Sequence, residues 1–270
     1  MRQLAARFAG LRRLASGPGL ERLGAAHVGV VGIGGVGSWA VEALARSGIG
    51  ALTLVDLDEV CVSNVNRQLH ALDPTVGQPK VEVMAERVHG INPDCRVTPV
   101  AAFFTPATAD AILAGGFDWV IDAIDSVSDK TLLLAACCQR RLPVVTCGAA
   151  AGRWDPTLIR VADLAGVSHD RLLFQVRREL RRDHGFPRGG KPFGIPAVFS
   201  PESPSSLPGD GPSEDRPDRT GGVMRAPRTC DNGLGTAAFV TGAFGLAAAS
   251  VVVRRLVAVT AGGGADRTGA

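Results

Sequence analysis

With 270 residues, 46% of them hydrophobic, the chain can bury one sizeable core and is neither a disordered nor a fibrous sequence. Its 29 Lys and Arg against 26 Asp and Glu leave a net charge of only +3, so any nucleic-acid contact must come from local clustering and not from bulk charge. Six cysteines without a C-x-x-C pair argue against the usual structural zinc site, and an N-terminus without a continuous apolar core argues against secretion; together they predict a reduced, cytoplasmic protein whose metal, if any, is oxygen-bound.

Residues 1–24 read as an N-terminal helical arm, with Arg7, Arg12 and Arg13 interleaved with Leu11, Leu14 and Leu20. From 25 to 150 strand-like runs at 27–32, 52–56, 96–100, 119–123 and 143–147 alternate with helix-like stretches near 36–47, 77–90, 106–115 and 128–141. Such alternation predicts an α/β fold: a Rossmann-like, mostly parallel sheet flanked by helices, with ligands at the carboxyl ends of the strands. A C-terminal extension of strands and helices, 151–270, follows. In it "TLIRVADL" reads as a strand and "DRLLFQVRRELRRDH" as a basic helix. The Pro, Ser and Asp rich stretch near 201–222 reads as a mobile loop. From Asn232 to Val253 there is no charged residue, long enough to span a bilayer. Its four glycines and its Thr236, Thr241 and Ser250 make close packing in a soluble core or a dimer the simpler reading, with peripheral or single-span membrane association through 232–253 as the alternative.

The chemistry concentrates in the first half. "VVGIGGVGSWAVEAL", 30–44, places Gly32, Gly34, Gly35 and Gly37 between an apolar strand and a helix, where glycines let a phosphate approach backbone N–H groups and the helix dipole. Asp56 ends the second strand at the distance of a ribose contact, which fits NAD as well as ATP. The following "VDLDEVCVSNVNRQLHALDPTVGQPK" favours ATP. It holds Asp58, Asn64, Asn66, Arg67, Gln68 and Lys80, and hydride transfer needs no such polar group, whereas neutralising a departing pyrophosphate does. Asp125, just beyond "DWVIDAID", could hold Mg²⁺. The plainer alternatives are a solvated surface pair for Arg67 and Lys80, and a helix cap near Lys130 for Asp125. His70 reads as structural, Cys137, Cys138 and Cys147 as core residues, and Cys230 is open. Further on, Arg177, Arg178, Arg181 and Arg182 fall on adjacent faces of one helix, a ridge suited to an RNA backbone or simply to water.

G-I-G-G-V-G, V-D-L-D, N-V-N-R-Q, the lysine of G-Q-P-K and D-A-I-D-S together resemble the ubiquitin-activating-enzyme-like adenylating superfamily over residues 7–150. That resemblance implies ATP with Mg²⁺, used to activate a carboxylate. It assigns Asp56 to the ribose, with Asp58 in the same nucleotide-binding set, Asn64, Arg67 and Lys80 to the phosphates, and Asp125 to the metal. It also implies a homodimer in which an arginine of the partner's arm completes the site; Arg13 is the first candidate here and Arg7 the second. Nearly the whole chain, including "VIDAIDSVSDK", "DPTLIRVADLA", "VFSPE" and "GTAAFVTGAFG", is similar to the tRNA threonylcarbamoyladenosine dehydratases, although Pro201 to Gly222 departs from their pattern.

The expected reaction is ATP-dependent cyclisation of threonylcarbamoyladenosine in tRNA, closed by the substrate's own nucleophile and needing no protein cysteine. The alternative is an adenylyltransferase activating the C-terminus of a ubiquitin-like sulfur carrier, and either activity could draw on a cysteine desulfurase or sulfur-acceptor system. A nucleotide-binding module without catalysis and an NAD oxidoreductase stand behind these.

Overall fold

The structure, a computed structural model, describes residues 6–204 and 234–258; the loop read at 201–222 and Cys230 fall largely or wholly outside them. The arm forms two short helices, α1 (Ala9–Ala15) and α2 (Gly17–Ala25), joined at Ser16, which takes a left-handed φ of 65°. There follow β1 (His27–Val31), α3 (Gly37–Arg46), β2 (Ala51–Val55), α4 (Lys80–Ile91), β3 (Arg96–Val100), α5 (Ala109–Leu113), β4 (Trp119–Asp122), α6 (Val127–Gln139) and β5 (Val144–Cys147). The extension adds β6 (Arg160–Asp163), α7 (Arg171–Asp183), β7 (Pro196–Phe199) and α8 (Ala238–Ala258).

One seven-stranded sheet has the order β3-β2-β1-β4-β5-β7-β6, parallel except where β6 runs against β7. Strand alternation feeds two cores. Val28 and Val30 of β1, Leu52 and Leu54 of β2 and Ile121 of β4 face α3, α4 and α8, whereas Val31, Val55 and Val120 face α5, α6 and α7. The order reverses at β1, whose neighbours β2 and β4 run level with it: Val31 lies opposite both Val55 and Asp122. That crevice is the topological switch point at which such sheets take their ligands.

Two segments depart from their sequence pattern. The helix expected at 77–90 starts at Lys80, because Pro79 bridges back to Glu59. The one expected at 106–115 shrinks to Ala109–Leu113, since Thr108 Oγ1 donates to Phe103 O (2.6 Å) and accepts from Thr105 N (2.9 Å), holding the approach in a turn. The apolar C-terminal segment is α8, long and apolar enough to cross a membrane, yet half buried here with Val240, Phe244, Ala248 and Val252 in the core. Its Gly245 lies hard against α3: a Cβ there would run into Val36 O and stand 2.8 Å from Ala40 N and from Trp39 Cβ.

Candidate active site

Gly32, at the end of β1, takes φ 89°, and a Cβ on it would fall 2.8 Å from Ala123 O. A Cβ on Gly37 would collide with Gly32's carbonyl. Both glycines are therefore demanded by backbone packing, and the loop between them is clamped against the end of β4, next to Asp125. Asp56 fastens the loop from the other side. Its Oδ2 accepts from Ile33 N (2.6 Å) and its Oδ1 from Asp58 N (2.9 Å). Burial pushes the Asp56 carboxyl above its ordinary pKa, against the opposing pull of Lys80 and these two N–H groups. Each oxygen keeps a lone pair for a further donor.

His70 props the loop from below. It is buried, and its Nε2 donates to Ile33 O (2.7 Å). Burial lowers its pKa to about 4, so the ring is neutral at neutral pH, the structural role its sequence context suggested.

The polar group after β2 gathers on the same side. Lys80 is only 4% exposed, which removes the reading of a solvated surface cation; its Nζ donates to Asp58 Oδ2 (2.9 Å). Asp58 thus faces the lysine. Arg67 is half-buried, its Nη1 donating to Ser63 O (2.9 Å) and Asn66 Oδ1 (3.0 Å), and its Cγ lies 3.5 Å from where a Cβ of Gly35 would be. Its carbonyl accepts from Trp39 Nε1 (3.1 Å) and from Thr241 Oγ1 of α8 (3.3 Å). Asn64 is fully buried, with Oδ1 accepting from Cys61 N (3.1 Å). Asn64 Nδ2 and the Oε1 of buried Gln68 have no hydrogen-bond partner among the described residues. Buried polar atoms left open beside a glycine cradle and two cations fit a polar, phosphate-bearing ligand.

Asp125 is exposed on the loop after β4, and the cap suggested near Lys130 does not form. Lys130 is wholly buried and bonds Asp122 instead (Nζ to Oδ2, 2.7 Å), with Thr146 Oγ1 donating to the same oxygen (2.6 Å). This buried trio ties β4, α6 and β5 together under the Asp125 loop and was missed in the sequence. The signal was present as an aspartate inside the apolar run "WVIDA".

Two groups lie away from the crevice. Arg13 is exposed on α1, whose neighbour Arg7 donates to Ile91 O (3.0 Å) and whose Phe8 packs near Gly48, at the amino ends of the strands. The arm thus sits at the opposite end of the sheet from its own glycine loop. The arginine ridge on α7 is not uniform. Arg177 turns inward to donate to Val167 O (2.5 Å), Arg181 reaches Pro187 O (3.2 Å) and Arg182 pairs with Asp183 (2.6 Å), because neighbouring carbonyls and the carboxylate compete for the guanidinium groups. Arg178 is exposed. Burial raises the thiols of Cys95 to about 11 and of Cys137 and Cys147 to about 12, so none of these three is an activated nucleophile.

A glycine loop at a sheet's switch point, with Arg67, Lys80 and Asp125 on the loops around it, points to the class, and the ThiF family model matches residues 4–262: the chain belongs to that family. Over 253 residues it is 46% identical to the tRNA threonylcarbamoyladenosine dehydratase of Haemophilus influenzae, covering 93% of each chain. The Escherichia coli protein of the same name is 46% identical over 256 residues, covering 94% of this chain and 95% of its own. The crystal structure of that Escherichia coli enzyme in complex with ATP superposes with a TM-score of 0.82 at 44% identity, over 94% of this chain and 95% of the other. A structure with AMP matches equally, with a TM-score of 0.82.

Proposed function

We propose that this chain catalyses the ATP-dependent dehydration of threonylcarbamoyladenosine in tRNA to its cyclic form. The observation that carries this reading is the glycine cradle with half-buried Arg67 and buried Lys80 beside it and the open polar atoms of Asn64 and Gln68 facing the same crevice. The thiols of Cys95, Cys137 and Cys147 are raised by burial, and a ring closed by the substrate's own nucleophile uses none of them. ATP, when bound, would supply an adenylyl group to the substrate's carboxylate with release of pyrophosphate, and attack of the substrate's own nucleophile on the activated acyl carbon would expel AMP, which carries away the oxygen formally lost as water. Residues 25–150 hold the nucleotide. Gly32, Gly34, Gly35 and Gly37 cradle phosphate, Asp56 takes the ribose, with Asp58 holding Lys80 beside it, and Asn64, Arg67 and Lys80 meet the phosphates. Asp125 would hold Mg²⁺, a hard ion that takes carboxylate oxygen and that would offset the charge building on the departing pyrophosphate.

Residues 151–270 serve tRNA binding and self-association. The long α8 supports a homodimer. At its start it touches the site through Thr241; about 24 Å further along it meets the arm, where Arg22 donates to Leu256 O (3.2 Å) and Val257 O (2.5 Å). Phe239 and Leu246 leave an apolar stripe exposed on it. Two copies pairing α8 antiparallel about a twofold axis carry each arm, and Arg13, to the other's crevice. We place the enzyme in the cytoplasm with its tRNA.

The test is mass spectrometry of tRNA nucleosides after incubation with the protein, ATP and Mg²⁺. Loss of one water from threonylcarbamoyladenosine is expected. Unaltered nucleoside, with ATP consumption stimulated instead by a small Gly-Gly-tailed protein, would transfer the assignment to carrier adenylation.

A further inference from the structure

We infer that an open cavity at the start of α7 is a stacking site for an unpaired nucleobase of the RNA substrate, with Phe174 as its platform; this rests on the tRNA reading above. The cavity, about 310 Å³, is lined by His169, Asp170, Arg171, Phe174 and Arg177. Phe174 is 56% exposed on a helix whose other exposed positions are polar or charged. A lone exposed Phe is ordinary, but this one is held in place. The Arg177 guanidinium stands 5.9 Å from its ring centroid and is itself pinned by Val167 O (2.5 Å) and Leu164 O (3.4 Å). Arg177 has thus been turned from a phosphate contact into part of an aromatic shelf.

The cavity's charge selects the occupant. Asp170, its one carboxylate, is 3% exposed and fully engaged: Oδ1 accepts from Leu173 N (2.9 Å), Oδ2 from Ala149 N (3.0 Å) and Arg153 Nη2 (3.4 Å). Exposed Arg171 and His169 and half-buried Arg177 remain on the rim, with Arg178 on the same helix. An apolar ring face set among cations fits a planar base joined to phosphates, because every base has a π-face and each flanking linkage brings a negative charge. The position also fits. Through Ala149, Asp170 ties the start of α7 to the chain leaving β5, the strand two places from β1 and so about 10 Å across the sheet from the glycine cradle. The site therefore opens at the same end of the sheet as the reacting crevice.

The experiment titrates the whole protein with a tRNA anticodon stem-loop carrying 2-aminopurine at single loop positions. Binding should quench the probe at one position. Phe174→Ala and Phe174→Leu should abolish that quenching and weaken binding about 5- to 150-fold, the worth of a stacked base, without altering the salt slope. Phe174→Trp should restore both, and Arg171→Ala should lower the salt slope by about one while leaving quenching in place. ATP affinity should stay unchanged throughout. Wild-type-like binding and quenching in Phe174→Ala overturns the inference, as do displacement of the stem-loop by AMP in wild type but not in Phe174→Ala, which would make this a mononucleotide site, and a change of oligomeric state in Phe174→Ala, which would make the shelf a protein interface. If wild type itself binds no stem-loop, the tRNA reading has failed rather than the shelf.

Discussion

His70 shows how a single buried side chain can set the acid limit of this fold. Its pKa is about 4 in the native state against an ordinary 6.5, so the unfolded chain binds the extra proton between those values. Its contribution is complete above pH 6.5 and is lost as pH falls toward 4, by about 3 kcal/mol in all. Denaturant titrations from pH 7.5 to 4.5 should show that decline in wild type and a shallower one in His70→Gln, which keeps an N–H donor toward Ile33 O. Parallel curves would remove the ring from the account. At this scale the sequence was legible where function needs a fixed order of residues. Gly32, Asp56, Arg67, Lys80 and Asp125 stand out in the sequence as one polar set, and the strand order brings the segments after β1, β2 and β4 that carry them to one end of the sheet. The Asp122–Lys130 pair left only the aspartate inside "WVIDA" as a sign, because a lysine in the first turn of a helix reads as a solvated end until the strand beneath it is placed.

Among elements, the inner parallel strands β1, β2, β4 and β5 were legible as short apolar runs bounded by turns, since a strand covered on both faces carries no polar alternation, whereas β3 lies at the sheet edge with Arg96 and Thr98 exposed. β7 was not legible, because "PAVF" opens with a proline and spans four residues, and nothing local reports that β6 pairs with it antiparallel. The basic helix was found, but its side chains were read as one ridge; only the tertiary carbonyls of Leu164, Val167 and Pro187 divide it. The α3–α8 contact provides a test. Gly245→Val should cost about 1–3 kcal/mol in denaturant unfolding, by overpacking. It should also weaken ATP binding, because α8 carries Thr241 to the Arg67 carbonyl. Gly90→Ala, in α4 with open space around it, should be neutral or stabilising. Equal effects of the two substitutions would mean that the close approach at Gly245 does not matter.

Across the whole molecule, the distance between the arm and its own crevice makes the shared site testable. Arg13→Ala and Asp125→Ala should each be inactive, yet an equal mixture of the two should regain about a quarter of wild-type turnover, since half the dimers are mixed and each of those holds one intact site. A mixture that stays inactive although mixed dimers form would return each site to a single chain.

The last helix also bears on how the chain is made. Asn66 Nδ2 donates to Thr236 O (2.8 Å), Thr241 to Arg67, and Arg22 to Leu256 and Val257, contacts separated by 170 to 235 positions. A ribosome delivers α8 after every other described element, so the side of α3 bearing Trp39 and the backbone around Arg67 wait uncovered until that helix is made. The nascent chain can pair its strands early, but the walls of its nucleotide crevice close only when α8 emerges. Competence to bind ATP should therefore follow the emergence of α8 and not precede it.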